Sequence, residues 1–264
     1  MIETEITKIL QVKQLDMFNE LIRIFNKYNI KYSLAFGTLL GCIRHKGYIP
    51  WDDDIDIHIL GEDYIKFKKA MQEEKQSFLK LDDPYLCKNY PYGFPKVVYK
   101  NSILIEESLI NCKYNCGVYI DIFPIFKVRK GLYGRIDNII RYLYYGTLRA
   151  RYGNNKVLSI LSRFISINFL RNIVYRIYSK KCEKNFLCTE PYCFDKNKFL
   201  DYDIVSCYEN GIFELLDVKI FSEYDKYLKK YYGDYMKLPQ SKDRISNHHF
   251  AKLQIDNQNI VGGE

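Results

Sequence analysis

The stretch Phe36-Gly-Thr-Leu-Leu-Gly-Cys-Ile-Arg-His-Lys-Gly-Tyr-Ile-Pro-Trp-Asp-Asp-Asp-Ile-Asp-Ile57 constrains this chain more than any other segment. A Gly-Thr pair is followed, after fifteen intervening residues, by Asp54 and Asp56 at i and i+2 in an apolar run. In a strand, side chains two apart point to the same side. Asp54 and Asp56 are therefore expected to project together, while Ile55 and Ile57 enter the sheet. Like charges held side by side repel, so the pair is costly unless a cation joins them. Mg²⁺ fits, being a hard ion that takes one or two carboxylates plus substrate phosphates, with Mn²⁺ as the alternative ion.

The segments around this stretch read as a mixed α+β architecture. Apolar positions from Ile6 to Tyr28 recur at helical spacing, predicting an amphipathic helix over 5–29 that packs on a sheet. Residues 32–36 read as a short buried strand, and Gly37-Thr38 as the turn leaving it. A strand over 55–60 and a helix over 61–76, opened by Glu62 and Asp63, follow. Residues 84–95 form a loop. Strands are expected at 96–99 and 103–106, and at 118–123, where Pro124 ends the run. From Leu132 to about Phe186 the pattern is helical with a break at residues 152–155. A less regular region follows, with a helix near 222–232 and a polar tail over 238–249. The 264 residues suffice for one domain bearing a helical insert at about 130–185.

Charge and cysteine usage narrow the function classes. The net charge is +8, and residues 127–184 hold fourteen Lys/Arg against Asp137 and Glu183, a local balance of +12. That segment faces something anionic or is a solvated helical surface. Its apolar run at 157–178 is interrupted by Arg163, Arg171 and Arg176, which are expensive at mid-bilayer. Peripheral membrane contact through 130–185 is retained as an expectation. The first residues show no basic region followed by an apolar one, so no signal peptide is expected. The eight Cys have no CxxC pair and no convincing His partner for zinc, which favours reduced cytoplasmic thiols over a Cys112/Cys116/Cys188/Cys193 cluster.

The motif suits phosphorus-group transfer. Gly37 lets backbone approach a phosphate closely, and Thr38 offers a hydroxyl. Arg44 and Lys46 can neutralise a diphosphate, and Asp54 and Asp56 would hold metal. Asp121, an acid inside the apolar run Tyr119-Ile-Asp-Ile-Phe-Pro124, needs a partner to justify burial and suits the role of third carboxylate. Taken singly, each feature has a plainer reading: a solvated acidic loop or Ca²⁺ site, a turn cap, a basic face. The order and spacing together favour a phosphate-and-metal site.

These same residues, with Tyr119–Pro124, Tyr232-Gly-Asp-Tyr-Met-Lys-Leu-Pro239, Arg244 and His248-His249, resemble the LicD family. That family includes bacterial phosphocholine transferases of lipopolysaccharide and teichoic acid and, more distantly, fukutin-type proteins. The resemblance implies a nucleotidyltransferase-like fold, a small mixed sheet flanked by helices. It also implies a CDP-activated donor, CDP-choline foremost, and Mg²⁺. The group would pass to a glycan or lipid-linked glycan, with CMP released, on the cytoplasmic side at the inner face of the membrane. Carried over by position, Gly37 and Thr38 sit at the phosphates, Asp54, Asp56 and Asp121 on metal, and Arg44, His45 and Lys46 at the donor. Asp52 and Asp53 adjoin the site, Asp52 sharing the face of Asp54. Trp51 would stack on a base or choline head or simply pack, and Arg244, His248 and His249 are further candidates. Two rival readings are a nucleotidyltransferase using an NTP, which would release pyrophosphate, and a non-enzymatic basic protein binding nucleic acid through 127–184. The carboxylate set argues against the latter, and no nucleic-acid partner is expected.

Overall fold

The computed structural model describes residues 2–84, 87, 89–110, 112, 114–152, 156–178, 181, 183–184, 187–190, 193–245 and 249–261. In chain order the elements are α1 (Ile2–Lys27), β1 (Tyr32–Leu34), α2 (Phe36–Arg44), β2 (Asp56–Leu60), α3 (Gly61–Glu73), β3 (Leu79–Asp82), β4 (Lys96–Tyr99), β5 (Ser102–Glu106) and β6 (Tyr119–Lys127). Then come α4 (Gly131–Tyr152), α5 (Lys156–Ser162), α6 (Ile167–Tyr178), β7 (Leu187–Thr189), β8 (Leu200–Asp201), α7 (Tyr202–Ser206), β9 (Tyr208–Phe213), β10 (Leu216–Phe221), α8 (Tyr224–Tyr232), β11 (Phe250–Ile255) and β12 (Gln258–Val261). The expected mixed α+β class is what the chain adopts.

The main sheet has the order β1-β2-β6-β4-β3, with β7 and β8 continuing from the far end of β6. Only β2 and β6 run parallel within that path; β1, β4 and β3 pair antiparallel. Register aligns Asp56 with Asp121, and Asp121 with Lys96. Residues opposite one another share a sheet face, so three charged side chains form one row across β2, β6 and β4. The intervening Ile55, Ile57, Ile120 and Ile122 are fully buried with Met17, Phe18, Leu21 and Phe25 of α1 and Phe67 of α3. One sheet face is thus core, and the other carries the charged row. Strands β9 and β10 form a hairpin, and β12-β11-β5 a third sheet.

Three expectations need correction. Gly37 and Thr38 do not form a turn but lie in the first turn of α2. The strand expected to end at Pro124 continues to Lys127. Its amides alternate sides: Asp121 N donates to Ile55 O on the β2 side and Ile122 N to Pro95 O on the other. The nitrogen of residue 124 therefore faces the β4 side, beyond the end of β4 and before β7 pairs at Phe126, where no donor is required. The polar tail is followed by strands β11 and β12, which the sequence pattern did not signal. The expected helix break partly coincides with residues 153–155, outside the described residues.

The helices α4 and α6 build a smaller core of Tyr144, Tyr145, Leu148, Leu170, Val174 and Ile177 against Phe126. The +12 balance is not simply a solvated face. Arg141 is 1% exposed, lies over Phe126 and Phe194, and donates to Glu190 O (3.1 Å) and Cys193 O (2.7 Å). Arg151 donates to Ser162 O and Ile165 O, joining α4 to the end of α5. By contrast Leu158, Leu161 and Phe164 are largely exposed. Among the described residues no helix is long and apolar enough to cross a membrane. Among the described residues, too, no cysteine group has metal-binding proximity.

Replacing Arg141 with Met should leave two buried carbonyls without their donor. The expected loss is about 2–3 kcal/mol in urea denaturation. Arg149→Ser, on the exposed side of the same helix, should change stability by less than about 0.5 kcal/mol. Equal effects would show that the buried guanidinium is not a tether.

Candidate active site

Helix α2 starts abruptly, and that start shapes the site. Its N-cap, Ala35, offers no side-chain acceptor, and Phe36 takes a left-handed φ of 41°. A bulky residue rarely adopts this conformation unless its surroundings hold it there. Phe36 N donates to Tyr227 Oη at 3.2 Å, and that hydroxyl contacts His58 Nε2 at 2.8 Å. Burial lowers the His58 pKa to about 3, so the ring is neutral. Nε2 then accepts from Tyr227, and Nδ1–H donates to Phe123 O at 3.3 Å. The Phe36 ring packs edge-on against His58, Phe123 and Tyr231.

Thus anchored, α2 fixes the aspartate segment. Asp56 N donates to the buried Thr38 Oγ1 at 2.8 Å, and Ala35 N to Asp56 O at 2.9 Å. From the other side, Gln11 donates to Asp52 O and Gln14 to Asp53 O and Tyr119 O, so α1 clasps both carboxylate-bearing segments. A Cβ on Gly37 would stand 2.5 Å from Asp52 Oδ2. The missing side chain lets an anionic oxygen approach the first turn of α2, where the helix dipole favours negative charge.

Asp54, Asp56 and Asp121 bring carboxylate oxygens within 4.8 Å of one another, and Asp52, Asp53 and Asp54 do likewise. Burial raises the Asp56 pKa well above the carboxylate range. Asp54, Asp121 and Asp52 raise it further, and Lys96 opposes them. Lys96 lies against Asp121 Oδ1 at 2.6 Å and is only 2% exposed. Its ammonium sits over the rings of Tyr119 (3.3 Å) and Tyr92 (4.3 Å); burial pulls its pKa down, but Asp121, Cys116 and Glu106 together leave it raised. The all-oxygen donor set suits a hard divalent cation.

Asp52, Asp53 and Asp54 line a cleft of about 250 Å³ with Trp51, Tyr232 and Asp243. Arg244 lies over the Trp51 ring at 5.7 Å, and His45 meets that ring edge-on. Arg44 donates to Tyr235 O, and its pKa is lowered by burial and by Arg244. His45 is likewise lowered by burial and by Arg44, so it stays neutral. The Tyr232 phenol is raised by burial and by Asp56, Asp52 and Asp54, with Arg44 opposing. His45 and Arg244 therefore gather at Trp51, which lines the cleft, with Arg44 near Arg244 and Tyr232.

Two expected residues lie elsewhere. Lys46 is exposed in a left-handed turn (φ 62°) whose carbonyl accepts from Glu214 N in the β9–β10 hairpin. His249 is exposed beside β5, its carbonyl accepting from Glu107 N. His248 lies outside the described residues. Lys96 was not signalled by the sequence. A lysine opening a four-residue strand has no neighbour in sequence to show which face it takes, and its partner is 25 residues away.

A double-mutant cycle tests the ion pair. With EDTA present, Lys96→Met should cost about 3 kcal/mol in urea denaturation, because it leaves Asp121 buried and unpaired. The Lys96→Met/Asp121→Asn pair should be at least 1 kcal/mol more stable than additivity predicts, by order of magnitude. Strict additivity would dissolve the pair.

Comparison with known proteins extends this geometry. Residues 29–145 match the family model described as LicD/FKTN/FKRP, nucleotidyltransferase domain. The chain is 25% identical over 249 residues to a protein of Haemophilus influenzae named lipopolysaccharide cholinephosphotransferase LicD, covering 89% of this chain and 91% of that one. It is 33% identical over 125 residues to an uncharacterised protein of Rickettsia prowazekii, covering 44% and 47% of the two chains. An uncharacterised Rickettsia typhi protein is 51% identical over 53 residues, 20% of this chain and 17% of that one. The matched segment contains all five aspartates, Lys96 and α2. Residues 29–145 thus resemble a LicD-type nucleotidyltransferase domain, within a chain whose similarity to LicD runs over most of its length.

Proposed function

We propose that this protein transfers a phospho-alcohol, phosphocholine foremost, from a CDP-activated donor to a sugar hydroxyl of a cell-surface glycan, releasing CMP. The observation that carries this reading is the aligned row Asp56–Asp121–Lys96 with Asp54 beside it, in a chain similar throughout to a protein named a cholinephosphotransferase. Asp54, Asp56 and Asp121 would hold Mg²⁺ or Mn²⁺. Bound there, the ion supplies Lewis-acid stabilisation of charge on the donor phosphates.

The chain's own groups do the rest. Lys96 pairs with Asp121 Oδ1 and fixes the direction of that carboxylate. Gly37 leaves room for an anionic oxygen over the first turn of α2. Arg44 and Arg244, beside the cleft residues Trp51 and Tyr232, meet charge that develops on the leaving nucleotide. The sugar oxygen forms a bond to the phosphorus bearing the alcohol, and the bond from that phosphorus to the bridging oxygen breaks. CMP departs with that electron pair, and a carboxylate of the cluster accepts the hydroxyl proton.

The acceptor is read as membrane-presented, on the cytoplasmic face. Exposed Leu158, Leu161 and Phe164 stand in a basic helical segment, which suits an anionic lipid surface. The double variant Leu161→Asp/Phe164→Asp should lose co-sedimentation with anionic vesicles that wild type shows. Unchanged co-sedimentation removes the membrane from this reading.

The test of the reaction is nucleotide release. With Mg²⁺, wild type should liberate CMP from CDP-choline, and Asp56→Asn should be slower by at least about a hundredfold. CDP-ribitol and CDP-glycerol in parallel identify the alcohol. Pyrophosphate from CTP, with no CMP from any CDP-alcohol, would make the protein a nucleotidyltransferase instead.

A further inference from the structure

A second cavity, of about 690 Å³, opens between the loop before β4, the end of β5 and helix α4. Tyr92, Tyr142, Tyr145, Tyr152 and Phe194 line it, together with Glu106. The rings stand at steep angles to one another. Phe194 meets Tyr142 at 73° (5.5 Å between centroids) and Tyr145 at 75° (6.0 Å). Crossed rings of this kind present faces and edges to a shared space rather than stacking it shut. Tyr145 is held in place by donating to Gly93 O at 3.1 Å.

Glu106 supplies charge. Its Oε1 accepts from Tyr92 Oη at 2.7 Å and its Oε2 from Ser108 at 3.5 Å, both neutral partners. Aromatic faces attract cations through their quadrupoles, most strongly when the cation is poorly hydrated. A carboxylate within the same wall adds a monopole of the right sign. A primary ammonium would seek three hydrogen-bond acceptors, whereas tetrahedral methylated nitrogen asks only for ring faces and a nearby negative charge. Arg149, exposed on α4, also lines the cavity.

The cavity is one side chain away from the carboxylate row. The Tyr92 ring that borders it packs against the Lys96 ammonium, which pairs with Asp121. We infer that this aromatic cavity binds the quaternary ammonium of a phospho-alcohol, with Tyr142, Tyr145, Tyr152 and Phe194 as the box and Glu106 as its counter-charge. The inference rests on the proposed transferase reading and assigns that reaction its alcohol subsite.

Calorimetric titration with phosphocholine, in EDTA so that the carboxylate site carries no metal, tests it. Tyr142→Ala removes an exposed ring with little cost to folding, and Glu106→Gln removes charge while keeping shape. Wild type should bind phosphocholine more tightly than phosphoethanolamine. Both variants should bind it roughly five- to thirtyfold more weakly. Equal binding by wild type and variants, or none by wild type, overturns the inference. Phosphocholine bound through these residues by a protein that releases no CMP from CDP-choline would sustain the subsite while removing the donor reading.

Discussion

Like charge held out of water is the constraint around which this structure is arranged. Parallel pairing of β2 with β6 places Asp56 opposite Asp121, and Asp54 reaches the same spot from the residues before the strand. Such a cluster persists only if the backbone beneath it is over-determined, because repulsion among the carboxylates favours any local rearrangement that separates them. Each neighbouring element removes one such escape. Thr38 takes the Asp56 amide, Gln11 and Gln14 take the carbonyls of Asp52 and Asp53, and antiparallel β4 brings Lys96 into line with Asp121. The left-handed Phe36, tied through Tyr227 to His58, aims α2 so that its first turn faces the acidic loop.

The cations are distributed by role rather than by sequence density. Lys96 enters the carboxylate row at its edge. Arg44 and Arg244 stand near Trp51 and Tyr232, which line the acidic cleft, where an anionic ligand would add to the charge balance. The strongly basic helical segment spends several arginines on holding itself together: Arg141 and Arg151 bond backbone carbonyls, and Arg129 pairs with Asp137. Its net charge is still positive, but fewer of its guanidinium groups reach solvent than the sequence count implies.

Much of this was legible in the residues. The clustered aspartates and the acid within the apolar run 119–123 stood out in the sequence, although Asp54 precedes β2 rather than lying in it, and the alignment of Asp56 with Asp121 comes from the β2–β6 pairing. What was not legible has physical reasons. A Gly-Thr pair reads as a turn because nothing local caps a helix there; the cap is a tyrosine nearly two hundred residues away. Pro124 reads as a strand end because its missing donor matters only if a partner strand stands opposite, and that gap is tertiary. Lys96 and the aromatic cavity both depend on which face or loop meets which, a question that spacing along one chain leaves open. Lys46 stands beside two site residues in sequence, but it sits exposed in a left-handed turn whose carbonyl meets the β9–β10 hairpin.

The claim beneath all of this is that aspartates from two strands make one cation site. Mn²⁺ titration followed by the loss of its free-ion electron paramagnetic resonance signal measures that directly. Wild type should bind at least one ion, and Asp56→Asn and Asp121→Asn, distant in sequence, should each weaken the same binding event by a similar large factor. Binding untouched by either substitution, or altered by only one of them, would contradict a shared site.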